Sequence, residues 1–438
     1  MQQTESTLDF ILNSHHSLNL FGKNLTNKGM DLCECLKMNK NKILKINLCK
    51  TNFGNEEMKV LGELLKENST IEELNLSNNK MDEEGIKYLA EALEVNVRMK
   101  VIDLSNNKVR SKGMRALCEA LQKNKNVKKL KFDGLDDLAT LSPLFDLLET
   151  NNNKTLESID LKRCNLAQEE TINYFCRKLE TNKTLKSLCI AFNKLENKPL
   201  LNISSLLQMN GHLEILDLSN NEIEDQGTKY LCESLDLNSS LKRLDLTGNK
   251  VGDLGLKCLC ECLIANPSLT RLDLAGNKFS SDGIIYLSQA LRKNDSLREL
   301  DLSFIFFDDE SVKQLCLGIS SNRSLQQINL SGTFFREEEM KQLRESIKHN
   351  FSLKNIILNF GEDDPIWEEI CFLLHSNVEW NTSIHHQFFK YFDLIVFTFF
   401  LCIKEFQKTL LFKLSRYVCF EIIKKIDRKS YLELRNNR

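Results

Sequence analysis

Leucine and its close relatives recur along this chain in a fixed phrase, which returns every 28 or 29 residues from about residue 15 to about residue 363. LEILDLSNNEI (213–223), LKRLDLTGNKV (241–251) and LTRLDLAGNKF (269–279) superimpose at their apolar and asparagine positions without a gap. Aligned on the second leucine, the anchors are Leu18, Ile46, Leu74, Ile102, Leu130, Ile159, Leu188, Leu216, Leu244, Leu272, Leu300, Ile328 and Ile356, thirteen units in all. Another apolar residue stands two places after each anchor, the in-and-out alternation of a half-buried strand. Three places further on come Asn79, Asn107, Asn193, Asn221, Asn249 and Asn277, with Cys164 in the equivalent place of another unit. A small polar side chain there is expected to hydrogen-bond backbone groups of the neighbouring turn, because stacked units partly bury their loops.

The second half of each unit changes period. In EEGIKYLAEALEVN (83–96), Leu89, Leu93, Ala90, Ala92 and Gly85 fall on one arc of a helix. Gly29, Gly85, Gly113, Gly227, Gly255 and Gly283 recur at one helical position, where a missing side chain lets neighbouring layers approach closely. One strand plus one helix cannot bury its apolar faces alone, so the units must stack. Strands pair about 4.8 Å apart while helices need roughly 8–10 Å, so the stack bends with its parallel sheet on the concave side. The fold class expected is α/β: a horseshoe solenoid with a concave parallel sheet and convex helices. Residues 1–14 are read as a leader or cap, 15–363 as the repeats and 364–438 as a helical, aromatic and basic segment.

These motifs, L-x-L-x-x-N-x-L followed by D-x-x-G-x-x-x-L-x-x-x-L, resemble the ribonuclease-inhibitor-like leucine-rich repeat proteins over about four fifths of the chain. That family includes the inhibitor itself, the sensing arms of NOD-like receptors, tropomodulin-like capping proteins and the Ran GTPase-activating protein. The resemblance implies recognition of another macromolecule on a large curved surface. Two functions stay open. One is a non-enzymatic scaffold or sensor that binds a protein partner; the other is regulation of a small GTPase. The acidic tail usual in the Ran activator is missing here.

Composition adds limits. A net charge of −2 gives no field that favours nucleic acid. The N-terminal MQQTESTLDFILNS lacks the basic and apolar regions of a secretory leader. Cys33, Cys118, Cys176, Cys232, Cys260 and Cys316 follow the first apolar helix position, and Cys35 and Cys262 replace Ala92 and Ala120. They read as small buried hydrophobes in a reducing, cytoplasmic setting. The C-x-C-x-C of Cys258, Cys260 and Cys262 is read as packing rather than a metal site, since alternate helix positions diverge. No phosphate loop, nucleophile elbow or paired metal motif stands out, so neither a cofactor nor catalysis is expected. The N-x-S/T triplets at Asn68, Asn182, Asn238, Asn294 and Asn322 share one repeat phase and read as left-handed helix ends rather than glycan acceptors.

Candidate contacts lie where the repeat varies. Asp103, Asp160, Asp217, Asp245, Asp273 and Asp301 stand one place after their anchors and should form an acidic stripe on the concave face, complementary to a basic ligand. Arg243 and Arg271 lie beside it and offer the opposing reading, pairing with Asp245 and Asp273 across strands. The rhythm breaks in unit five (127–145), with Lys128, Lys129, Lys131, Leu135 and Pro143. It breaks again where Phe306 and Phe334 replace the position of Lys250 and Lys278, with Phe304 nearby. Those rings are either an exposed aromatic rim for a partner or the floor beneath a C-terminal cover. From 385 onward eleven Lys or Arg face five Asp or Glu, and LIVFTFFLCI (394–403) is too short to span a bilayer. This segment reads as a cap, as a peripheral membrane or partner-helix contact through 385–438, or as a poorly ordered tail. The chain is expected to act as a monomer.

Overall fold

Each anchor is the middle residue or second residue of a short strand: β1 (Ser17–Asn19), β2 (Lys45–Asn47), β3 (Glu73–Asn75), β4 (Val101–Asp103), β5 (Lys129–Asp133), β6 (Ser158–Lys162), β7 (Ser187–Cys189), β8 (Ile215–Asp217), β9 (Arg243–Asp245), β10 (Arg271–Asp273), β11 (Glu299–Asp301), β12 (Gln327–Asn329) and β13 (Asn355–Ile357). The computed structural model describes residues 16–38, 43–149, 152–333 and 335–358, with 366, 369–371 and 373–374 beyond them. The strands form one open parallel sheet in chain order, β1 to β13. Anchor pairs with anchor throughout, as Leu216 does with Leu244 and Leu244 with Leu272. Parallel neighbours require a crossover, and a helix supplies it after every strand from β1 to β12.

The core lies between these two layers. In the helix Glu83–Val95, Gly85, Ile86, Leu89, Ala90, Ala92 and Leu93 are buried, as are strand-layer residues such as Leu74 and Leu76. Burying one such leucine stabilises by roughly 1.5–3 kcal/mol relative to leaving it exposed, which is why a three-residue strand persists only inside the stack.

The expected asparagine ladder is present. Asn221 Nδ2 donates to the carbonyl oxygens of Ile190 (3.2 Å) and Leu218 (2.8 Å), and Oδ1 accepts the N–H groups of Asn193 (2.9 Å) and Leu195 (3.1 Å). Thr51 and Thr333 hold the same position with hydroxyls that donate to Leu48 O and Leu330 O. Leu135 and Ile305 place buried apolar side chains there instead. The glycine position is tight for a more specific reason than layer packing. A Cβ on Gly227 or Gly283 would fall 2.8 Å from Asn197 Oδ1 or 2.7 Å from Asp253 Oδ1. Those oxygens accept the glycine N–H groups at 2.9 Å in both cases.

The helix-ending asparagines require a correction. Asn68 and Asn322 have φ of −74° and −72°, extended rather than left-handed. They form a second ladder: Asn322 Nδ2 donates to Leu291 O (2.7 Å) and Asn294 O (3.1 Å), while Oδ1 accepts from Ser324 N (2.9 Å) and Leu325 N (2.6 Å). A side chain that already satisfies the helix-end carbonyls removes the need for a left-handed turn.

The helical cysteines named above are free, and all but the half-buried Cys258 are buried. Burial pushes the thiol of Cys33 up to about 11 and that of Cys316 up to about 12, so both stay protonated and pack as apolar groups. Among the described residues no helix is long and apolar enough to cross a membrane. The chain divides into compact units Met1–His375 and Ser376–Arg438. The second unit, and with it every reading of 385–438, lies outside the described residues, as do the leader 1–14 and Phe334.

Candidate binding surface

The strand register brings the six aspartates into one column. From β8 to β11, Asp217, Asp245, Asp273 and Asp301 are direct neighbours. Lys131 separates Asp103 from Asp160, and Cys189 separates Asp160 from Asp217. What the carboxylates do there follows from strand length. Most strands stop at this residue, and the side chain turns back to accept the backbone N–H two places on. Asp103 takes Ser105 N (3.1 Å), Asp217 takes Ser219 N (2.9 Å), Asp245 takes Thr247 N (3.0 Å) and Asp301 takes Ser303 N (2.8 Å). Asn19, Asn47, Asn75 and Asn329 make the same bond. The Asp and Asn of this column are therefore equivalent as strand-end caps.

Second oxygens are also occupied. Asp217 Oδ2 accepts the Cys189 thiol (3.0 Å), Asp301 Oδ2 accepts Asn329 Nδ2 (2.8 Å), and Asp245 Oδ2 faces Arg243 (3.3 Å). Asp273 is the exception to the cap: its side chain is 5% exposed and is held by Arg271 Nε at 3.0 Å and, across strands, by Arg243 at 3.0 Å. Arg271 then reaches Glu299 at 2.5 Å on the next strand. Burial pushes the carboxyls of Asp160 and Asp273 above the usual range, against the pull of Lys162 and Arg271 respectively. Burial, reinforced by Asp217, likewise raises the Cys189 thiol, the opposite of what a nucleophile needs.

The edge of the sheet carries a feature that the leucine phrase conceals. Four residues after the anchor the backbone is left-handed: φ is +55° at Asn78, +53° at Asn220, +67° at Gly248, +62° at Gly276 and +73° at Gly332. Phe192 (+58°) and Phe304 (+56°) occupy the same position. The left-handed conformation costs such a residue about 1–2 kcal/mol, which Gly avoids. Phe304 is pinned there by its N–H, which donates to Ser331 O at 2.8 Å. Its ring is 70% exposed, and Phe306, in place of a lysine, is 84% exposed. Ile305 between them is buried. The rings that stack across units are a different pair, Phe307 and Phe335, with centroids 6.1 Å apart and both buried. The recurring Gly or Asn at the left-handed position was the available signal for Phe192, which sequence reasoning missed, and for the backbone conformation of Phe304.

A leucine-rich repeat family model matches residues 67–90, 96–118, 210–232, 237–260 and 265–288. No curated protein matches the chain in sequence. Among solved structures, the yeast Rad7 and Elc1 complex is similar at 17% identity over 83% of this chain and 91% of that one, with a TM-score of 0.43. The tropomodulin C-terminal domain of Caenorhabditis elegans is 15% identical over 35% and 93%, with a TM-score of 0.31. A leiomodin-1 actin-binding site 2 structure is 14% identical over 42% and 74%, with a TM-score of 0.20. The matched repeats and the open sheet of thirteen parallel strands show leucine-rich repeats stacked in a solenoid fold.

Proposed function

We propose that this protein is a non-enzymatic interaction scaffold that binds a protein partner along the edge of its sheet, with Phe304 and Phe306 as anchors. The observation that carries this reading is that two exposed rings stand where neighbouring units use Gly276 and Lys278. One of them occupies a backbone conformation that favours glycine. Neither choice serves the repeat itself, whereas desolvated aromatic anchors dominate binding energy at interfaces. Phe334 belongs to the same proposed contact by its repeat position.

The column Asp103, Asp160, Asp217, Asp245, Asp273 and Asp301 enters as a source of negative field beside the rim rather than as free hydrogen-bond acceptors, because its oxygens already cap strands and hold arginines. Units of 28–29 residues, each with a full helix, support the ribonuclease-inhibitor-like subclass. Buried thiols packed like alanine support a cytoplasmic setting.

The test replaces the rings by the residues of the regular units, in Phe304→Gly/Phe306→Lys. Proteins captured from cytosol by the wild type and lost by this variant would support the reading. The same captured set from a folded variant would sink it.

A further inference from the structure

β5 reverses the charge of the sheet face. On the first residue of each strand, the cations Lys45, Arg243 and Arg271 are all in ion pairs: with Glu73 (2.8 Å), with Asp273 (3.0 Å), and with Asp273 and Glu299. Lys129 and Lys131, the first and third residues of β5, share that face by the strand's period of two, yet neither forms an ion pair among the described residues. Register alone would pair Lys131, because it lies directly between Asp103 and Asp160.

The neighbouring carboxylates are turned elsewhere. Asp103 caps Ser105 N, and Asp160 accepts from Lys162 N (3.3 Å) with the Lys162 ammonium at 3.8 Å. Asp133, buried at the end of β5, accepts two bonds from Arg163, one of them from Nε at 2.7 Å. The Arg163 guanidinium also lies 5.6 Å from the centre of the Phe192 ring, which is 44% exposed. Two ammonium groups outside any ion pair among the described residues, with Asp160 acting on Lys131 only at longer range, thus lie on the strand next to the unit that carries Arg163.

We infer that β5 is a notch for an acidic segment of a partner protein, whose carboxylates take Lys129 and Lys131 while an adjoining apolar side chain packs on Phe192. The notch is six strands from Phe304, about 29 Å at ~4.8 Å per strand. It is therefore a second contact that goes beyond the aromatic-rim reading and does not depend on it.

The test titrates the full chain with fluorescein-labelled hexaglutamate, followed by anisotropy. Saturable binding that weakens about tenfold in Lys129→Ala/Lys131→Ala and in Lys129→Gln/Lys131→Gln is expected, with Lys45→Ala and Phe304→Gly/Phe306→Lys unchanged. Binding should also fade on going to about 0.5 M salt. No saturable binding, equal binding by the folded lysine variants, or preference for a single-stranded oligonucleotide over hexaglutamate would overturn the inference.

Discussion

The Phe304 ring lies over Gly332, the left-handed residue of the next unit: a Cβ built on Gly332 would fall 2.5 Å from Phe304 Cδ1. An exposed ring at one unit thus depends on a missing side chain at its neighbour. Both residues sit in the same backbone conformation. Gly332→Ala should cost about 1–2 kcal/mol from the left-handed backbone and the displaced ring, and less in a Phe304→Gly background. A double-mutant cycle by urea denaturation measures the coupling; strictly additive effects would contradict the contact.

At Phe304 itself the usual order of substitutions should invert. Glycine ordinarily lowers stability relative to alanine, but φ of +56° favours it here. Phe304→Gly should be more stable than Phe304→Ala by about 1 kcal/mol in matched denaturant melts. An alanine variant that is the more stable of the two would show that this turn is not held left-handed in solution.

The ladder of asparagines should be the least tolerant part of the loops. Asn221→Ala leaves the N–H groups of Asn193 and Leu195 without their partner, while the Ile190 carbonyl keeps its bond from Asn193 Nδ2. A loss of about 3 kcal/mol is expected, with faster hydrogen exchange centred on 190–221. A change under about 0.5 kcal/mol would mean that water replaces the side chain without penalty.

How much of this was legible in the sequence depends on whether a feature repeats. Leu216, Leu244 and Leu272 fixed the strand register, and with it the contiguous column Asp217, Asp245, Asp273 and Asp301. The pairing of Asp245 and Asp273 with Arg243 and Arg271 was legible; the capping was not, because a bond to the residue two places on depends on where the strand stops. Asn322 was placed correctly as structural but in the wrong conformation, since a long-range bond to Leu291 O replaced the local turn. Phe304 stood out for its ring but not for its backbone, and Phe192 was missed, because a rule kept by Gly248 and Gly276 is broken at only a few units.

Acid should act on one cap more than on the others. Asp308, at the start of the helix Asp309–Ser321, is held down to about 2 from the usual 3.8 by the hydroxyl of Ser281 and then by Ser311. A carboxyl depressed in the folded state contributes stability that is complete above the ordinary value and is lost as pH falls from about 4 toward 2. Asp308→Ala should cost about 1 kcal/mol at neutral pH. Its stability deficit should close across that acid window; a deficit independent of pH would exclude the charged cap.

The most direct test of the account is where a captured partner protects the backbone. Hydrogen exchange of the complex against the free protein should show protection at 303–307, and the protection should vanish with Phe304→Gly/Phe306→Lys. Protection confined to the helix layer, with 303–307 exchanging as in the free chain, would contradict recognition at the aromatic edge.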